Sequence, residues 1–488
     1  MEVRGFSELL EKYIRECGYT NYEFARSVGI NRVNIQRYLS GSRIPNRQMF
    51  EKIINELHLG SREQEEFFES YQCAFEGKDA YYMKKTIRDI LENASDICGT
   101  EKQLVLVEHI SQEKESEVII GKAALEKYVW SLLYHAALQC EKQKVFCYLP
   151  ADKQTIGRIF PTLIKDGIPL LENIQIIHLV QLEKRADIFA HQYHNLRVFR
   201  NVIPSFFQAG NSYEVRYYYH ENPQLEMNDG LLYPYYIVLR DRVILIDSEL
   251  DHALSITNEE IVKQFHEKIN ERFAGNGIGR LIRYYDQEVN ILNHELAEDQ
   301  ASDTRIFLEH EPCVTYWIDE ELLNAIVKPS APHREEIVEG VRKRSEQLRE
   351  TKHMILYYTE EGLRAFVETG KFGNHPEEIV RPFTVQERLL IIERMISSLA
   401  DWDGEIGIIN KRYLKLTSKL TLFYSESFGM LLFLQNQQKQ FRYIQVKESS
   451  ICRAFVNYIK GMHDQGEVFS RDETKEILIK YREWLRNK

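Results

Sequence analysis

Apolar positions recur at helical spacing from the start of the chain. Phe6, Leu9, Leu10, Tyr13 and Ile14 share one helix face, and Gly18 stops that helix. Thr20-Asn21-Tyr22-Glu23 has the form of a capping box. The Thr20 hydroxyl can accept from the backbone N–H of Glu23, whose carboxylate reaches back. Phe24, Ala25 and Val28 then face inward, Gly29 ends the second helix, and Ile30 plugs the turn. Asn31 caps a third helix that buries Ile35, Tyr38 and Leu39 and ends at Gly41. Met49, Phe50, Ile53, Ile54 and Leu57 predict a fourth helix, and Phe67, Phe68 and Tyr71 a fifth. The pattern predicts an all-α domain over residues 1–73.

A connecting helix is expected at 79–93, inside a linker of residues 74–102. Beyond Gln103 the apolar runs shorten. Val105-Leu106-Val107 and Val118-Ile119-Ile120 are brief, and an amphipathic helix at 122–139 carries Trp130. Strands follow at Val145–Leu149, Ile174–Val180, Tyr213–Tyr219, Tyr235–Leu239 and Val243–Ile246. Helices are expected between them at Lys153–Lys165 and Ala186–Arg197, and a helix at Asn258–Phe273 closes the segment. Strands alternating with helices predict an α/β sheet with parallel neighbours. The polar stretch Leu296–Thr304 divides this domain, 103–295, from a second at 296–488. There the reading gives strands at His353–Tyr358, Glu405–Ile409, Leu420–Tyr424 and Met430–Leu434. Helices are read at Glu360–Thr369, Val385–Ala400 and Ile451–Met462. Each closing helix follows a strand with a polar break, Leu254-Ser255-Ile256-Thr257 in one half and Ile444-Gln445-Val446-Lys447 in the other. The expected fold class is therefore multidomain, a helical N-terminal domain followed by an α/β region in two lobes. A duplication would produce this order, and so would two unrelated α/β domains.

Charge singles out one place. The chain carries -11 overall, yet residues 1–60 hold nine Lys/Arg against seven Asp/Glu, or +2. The remainder holds 54 against 67, or -13. Between Glu23 and Glu51 lie Arg26, Arg32, Arg37, Arg43 and Arg47, with no acidic residue and no lysine. Such an island on an acidic chain points to a polyanionic partner. Seven cysteines are scattered without a C-x-x-C pair, which fits a reducing cytoplasm and signals no zinc ribbon. No apolar run approaches the ~18 residues that span a bilayer, so a soluble cytoplasmic protein without a membrane partner is expected.

Gly18-Tyr19-Thr20-Asn21, Phe24-Ala25 with Val28-Gly29-Ile30, Asn31 to Tyr38, Gly41 and Ile44-Pro45 carry a resemblance. Residues 6–58 resemble the Cro/repressor-type (Xre-type) helix-turn-helix domain of bacterial and phage regulators. The resemblance implies base reading by Arg32, Val33, Gln36 and Arg37 of the third helix. Arginine can donate twice to guanine O6 and N7, and Val33 suits a thymine methyl. It implies phosphate contacts by Thr20, Asn21, Asn31, Asn34, Ser40, Ser42 and Arg43. Arg26 and Arg47 are equally readable as solvated surface charge. Many members pair an arginine of the first helix with a glutamate late in the third, where this chain has Ile14 and Leu39. Both partners are apolar, so no charge is left alone in the core. The implied partner is double-stranded DNA, bound by a homodimer on half-sites about 34 Å apart. The acidic region would sense a small-molecule or peptide effector, and no cofactor is expected.

Catalytic sets are weak. His191 and His194 stand at i and i+3, and His310 and Cys313 are spaced H-x-x-C, each without completing ligands nearby. No phosphate-cradling or nucleophile-elbow motif occurs. The tyrosines at 217–219 and 233–236 could stack on a ligand, though strands enrich tyrosine anyway. Segment 145–273 resembles the phospholipase-D-like fold used as a sensor in some regulators, in its strand–helix order and in the run Tyr236 to Asp247. Enzymes of that fold carry H-x-K-x4-D. Here the sole H-x-K is His266-Glu267-Lys268, inside a helix, with Phe273 where the Asp should stand. The resemblance thus implies a sensor and no enzyme. The rival reading is a phosphodiesterase- or nuclease-like enzyme fused to a targeting helix-turn-helix. A third is a protein-binding module whose helix-turn-helix has lost DNA, against which the acid-free arginines argue.

Overall fold

Local capping chemistry shapes the N-terminal helices of the computed structural model. It describes residues 5–93, 116–139, 142–151, 173–184, 189–220, 232–274, 277–285, 291, 295, 298–299, 302–371, 377–401, 404–417, 420–435 and 441–488. The expected strand at 105–107 and helix at 153–165 lie outside them. The chain divides into two compact units, Met1–Thr86 with Asp187–Tyr193, and Ile87–Ala186 with His194–Lys488.

In the first unit α1 (Phe6–Glu16), α2 (Asn21–Val28), α3 (Arg32–Leu39), α4 (Arg47–Glu56) and α5 (Ser61–Glu76) follow the apolar pattern. The Thr20 hydroxyl accepts from the Glu23 N–H at 3.3 Å, and the Glu23 carboxylate accepts from the Thr20 N–H at 2.9 Å. Gly29 takes φ +73°, which lets the Ile30 N–H reach the Ala25 carbonyl at 2.8 Å and turn the chain. The helices enclose an aromatic core of Phe6, Tyr13, Phe24, Phe50, Phe67 and Tyr71. The Phe50 and Tyr71 rings stack 3.9 Å apart, and the Tyr71 hydroxyl donates to the Pro45 carbonyl at 3.1 Å. Ser7 donates to the Tyr38 carbonyl at 2.8 Å, tying α1 to α3. Ile14 lies in this core and Leu39 packs against it, so the apolar pair fills space where an ion pair would need partners.

Helix α6 (Lys78–Glu92) occupies the expected connecting position. Among the described residues the second unit contains two mixed sheets. The first holds β1 (Ser116–Ile120), β2 (Gln143–Tyr148), β3 (Ile174–Glu183), β4 (Tyr213–His220), β5 (Tyr235–Val238), β6 (Val243–Ile246), β7 (His252–Ile256) and β8 (Gly279–Arg280). Its order is β1-β7-β6-β5-β2-β3-β4-β8. The second holds β9 (Ile282–Tyr285), β10 (Thr304–Glu309), β11 (His353–Thr359), β12 (Glu405–Ile409), β13 (Leu420–Ser425), β14 (Gly429–Gln435) and β15 (Phe441–Val446). Its order is β12-β11-β10-β13-β14-β15-β9. In each sheet three successive strands run parallel, β2-β3-β4 and β10-β11-β12. The first strand of each trio also borders an antiparallel meander, β5-β6-β7 or β13-β14-β15. The strand preceding each trio, β1 or β9, pairs antiparallel with the far end of its meander. Seven strands thus match in order and sense.

Helices α7 (Lys122–Ala137), α8 (Phe189–Ala209) and α9 (Glu259–Ala274) belong to the first half. Helices α10 (Glu320–Ile326), α11 (Arg334–Glu350), α12 (Glu360–Thr369), α13 (Val385–Asp401), α14 (Ser449–Gly461) and α15 (Arg471–Arg486) belong to the second. Four departures from expectation have physical causes. Helix α8 continues past Arg197 and through Pro204. Burial of Phe199, Val202, Ile203, Phe206 and Phe207 outweighs the hydrogen bond that proline removes. The chain passes from one sheet to the other at Leu281, because β8 pairs with β4 while β9 pairs with β15. That crossing precedes the polar stretch at 296. Strand β10, central to the second sheet, is disguised by Arg305. Its guanidinium is buried against Asp299 at 2.9 Å and the Gln347 carbonyl at 2.8 Å, which makes the charge tolerable there. Helices α10, α11 and α15 are absent from the sequence reading, though in α15 Ser470 and Glu473 form a capping box and Leu478, Tyr481 and Leu485 are buried. The halves are joined by Asn195 donating to Ser450 at 2.8 Å and Tyr219 donating to Glu448 at 2.6 Å. Among the described residues no helix is long and apolar enough to cross a membrane.

Candidate nucleic-acid interface

Helix α3 is short, and its two faces differ sharply. At about 100° per residue, Arg32, Gln36, Val33 and Arg37 fall within an arc of about 140°, while Tyr38, Ile35 and Leu39 occupy the opposite side. The structure agrees: Ile35 and Tyr38 are buried, and Arg32, Val33, Gln36 and Arg37 are exposed. Val33 is 52% exposed and is the one aliphatic side chain of this strip. Asn31 caps the helix, its Oδ1 accepting from the Val33 N–H at 2.9 Å. The first turn of α3 holds no acidic residue, so its positive dipole end stays unneutralised. Among the described residues no carboxylate pairs with Arg26, Arg32, Arg37 or Arg43. Arg47 differs, lying 3.6 Å from Glu51 one helical turn away.

The phosphate candidates sort by what their side chains already do. Thr20 is spent on the α2 cap, and its hydroxyl also donates to Glu23 at 2.7 Å. That bonding to the Thr20 hydroxyl and N–H holds the Glu23 carboxyl below its ordinary range. Asn31 caps α3 through its oxygen, which leaves its amide N–H pair as the donor. Ser40 and Ser42 lie 3.2 and 3.3 Å from the Arg37 carbonyl and 3.0 Å from each other. Together with the Arg43 N–H at 3.2 Å they satisfy the Arg37 carbonyl, one of those left open at the C-terminal end of α3. Asn21 is exposed in the first turn of α2, Asn34 is half-buried at the margin of the α3 strip, and Arg43 is exposed past Gly41. Tyr22, beside Asn21, is 60% exposed and is not among the residues that the sequence reading selects. The capping box is the signal that could flag it, because it fixes Tyr22 in the first turn of α2, away from the inward-facing positions.

Among the described residues, the histidines singled out elsewhere make separate local contacts. His266 contacts the Leu239 carbonyl at 3.0 Å from within α9, and His310 contacts the Thr359 hydroxyl at 3.0 Å. Burial pushes the Cys313 thiol up to about 12 and lowers His310. Among the described residues no group of three or more His, Cys, Asp or Glu could hold a metal ion.

Residues 10–63 match the helix-turn-helix family profile. This stretch carries a Cro/C1-type helix-turn-helix domain, the class of DNA-binding module found in transcriptional regulators. No curated protein matches the chain. Among solved structures, polyphosphate kinase from Porphyromonas gingivalis aligns at 10% identity with a TM-score of 0.22. The alignment covers 71% of this chain and 50% of that one, so the chain spans half the length of that enzyme. So distant a likeness fixes neither fold nor activity. The phospholipase-D-like resemblance of segment 145–273 gains no support from these matches.

Proposed function

We propose that the protein is a sequence-specific transcriptional regulator that reads duplex DNA with α3. The observation that carries this reading is the exposed strip of Arg32, Val33, Gln36 and Arg37 within a matched helix-turn-helix. In it the arginines lack acidic partners among the described residues, and the one aliphatic side chain faces solvent. Such a strip suits a major groove, where base edges offer paired acceptors and thymine a methyl group. Asn21, Asn31, Asn34 and Arg43 would hold phosphates, with Tyr22 as a further hydroxyl donor at the start of α2. Thr20, Ser40 and Ser42 would act mainly by shaping the two helix ends.

One module of this size buries too little DNA for useful affinity, so the working form is a homodimer on two half-sites. The acidic second unit would supply dimer contacts and sense a small-molecule or peptide effector. Its matching strand orders suit a duplicated ancestry. No catalytic role is assigned to it, and the cytoplasm is its expected location. Selecting duplexes from random sequence with the full-length protein tests the reading. A palindrome should emerge, and the Arg32→Ala/Arg37→Ala double variant should lose the preference. An unaltered preference in that variant would remove α3 as the reading element.

A further inference from the structure

Outside the helix-turn-helix, polar side chains meet at one edge of the first sheet. Strands β2, β3 and β4 run parallel, so their carboxyl ends share that edge. Open α/β sheets bind ligands at this edge. Register sets Tyr148 beside Tyr236 on β5, and Gln181 of β3 beside Tyr218 of β4. Tyr148 also pairs with Leu179, two residues before Gln181. Cross-strand partners share a face and alternation returns every second residue to it. Tyr148, Gln181, Tyr218 and Tyr236 therefore project from one face. Helix α9 packs there, among Phe146, Tyr236 and Val238. It brings the Arg272 guanidinium 4.9 Å from the Tyr218 ring centre and 5.9 Å from that of Tyr148.

The Tyr148 and Tyr218 hydroxyls are 2.8 Å apart, and they lie 3.3 and 3.2 Å from Gln181 Oε1. Three oxygen–oxygen contacts share two hydroxyl hydrogens. Either hydroxyl can re-aim toward an added acceptor while the other keeps Gln181 bonded. Burial raises the Tyr218 phenol far above its ordinary value, so it stays protonated and able to donate. Two arginines of this face are treated differently. Arg216 is neutralised by Glu214 at 2.6 Å. Arg272 is exposed and, among the described residues, has aromatic rings and phenols around it but no carboxylate partner. A guanidinium on an aromatic floor with its charge unanswered recognises anions through its planar fork.

We propose that Arg272, Tyr148, Tyr218, Gln181 and Tyr236 form a binding site for a small organic anion that carries a planar ring. Arg272 clamps the phosphate or carboxylate head, Tyr148 and Tyr218 donate to polar edges, and the Tyr148 and Tyr236 rings, 5.7 Å apart, meet the ring. The site rests on the reading that the second unit senses a ligand. It is tested by calorimetric titration of the full-length protein with adenosine 5′-monophosphate, guanosine 5′-monophosphate, 4-hydroxybenzoate and inorganic phosphate. At least one ring-bearing probe should bind with Kd below about 1 mM, and inorganic phosphate about tenfold more weakly or worse. Nucleotide binding without benzoate binding would name the head as phosphate, and the reverse as carboxylate. Arg272→Ala should weaken binding about tenfold or more, Arg272→Lys less, and Tyr218→Phe several-fold. Because Arg272 is exposed, its variants should keep the parental thermal midpoint. Absence of binding by every ring-bearing probe, equal affinity for inorganic phosphate, or unchanged affinity in Arg272→Ala overturns the site. Operator selection on the same samples keeps the two readings apart: it can succeed while the ligand site fails, and the reverse.

Discussion

Replacing Arg37 and Arg43 separately divides base reading from backbone attachment within one domain. Both side chains are exposed, and neither has an acidic partner among the described residues. Truncation to alanine leaves the aromatic core untouched, and stability should move by less than about 0.5 kcal/mol. Arg37 lies in the outward strip of α3. Loss of a bidentate contact to guanine costs about 1–3 kcal/mol of discrimination per half-site. A two-fold complex loses it twice, so about 2–6 kcal/mol separates parent and variant on the selected palindrome. Arg43 lies past the C-terminal end of α3, and in the proposed complex it would meet the sugar–phosphate backbone. Its removal releases one fewer counterion per protomer and lowers the slope of log affinity against log salt by about 0.9 for each protomer. Fluorescence anisotropy on the selected duplex and on a scrambled one, across a salt series, reads both quantities. Arg37→Ala should shrink the ratio between the duplexes, whereas Arg43→Ala should weaken both alike and flatten the salt dependence. The division of roles is refuted if Arg37→Ala weakens both duplexes equally, or if Arg43→Ala removes the preference.

Three further outcomes are expected. Thr20→Ala should destabilise the first unit by about 1 kcal/mol in chemical denaturation, with Thr20→Asn restoring most of it. Because the Glu23 carboxyl is held below 4.5, the parental contribution is present above that pH and fades as pH falls through the folded value; the alanine variant should lack that part of the acid limb. Burial pushes the Glu309 carboxyl up to about 8, against the opposing pull of Arg344. Between about 4.5 and 8 the folded chain then holds a proton that the unfolded chain has lost, so stability falls as pH rises across that window. Glu309→Gln should flatten this fall, which has a slope of about 1.4 kcal/mol per pH unit, and leave the variant more stable than the parent at pH 8. An unchanged pH slope in calorimetry would show that Glu309 ionises normally. Finally, a ring-bearing anion that binds the first sheet should change operator affinity about 5-fold or more in the parent and not in Arg272→Ala, measured by anisotropy with and without ligand.

The sequence alone determined the helical unit and the strip it presents. Caps, turns and helix faces depend on residues three or four apart, so Thr20 with Glu23, Gly29 with Ile30, and the spacing from Arg32 to Arg37 carry their meaning locally. Net charge could be read the same way, because an acid-free stretch near one end stays acid-free however the rest folds. Strand existence was largely legible for the same reason, as in β2, β3 and β11, where apolar runs are bounded by turns.

Strand partners were not legible. β1 lies beside β7, and β9 crosses to the second sheet ahead of the polar stretch that looked like a boundary. β10 hid behind an arginine whose partners, Asp299 and the Gln347 carbonyl, could be named only once the chain was folded. The tyrosines show the difference most plainly. The chain has 28 of them, and β propensity explains their presence in strands without saying which will meet. Only the order β5-β2-β3-β4 and the placement of α9 bring Tyr236, Tyr148, Gln181, Tyr218 and Arg272 to one edge. Pairing is chosen by burying both faces of a whole sheet while closing every backbone hydrogen bond, a condition met by the unit as a whole and by no short stretch of it.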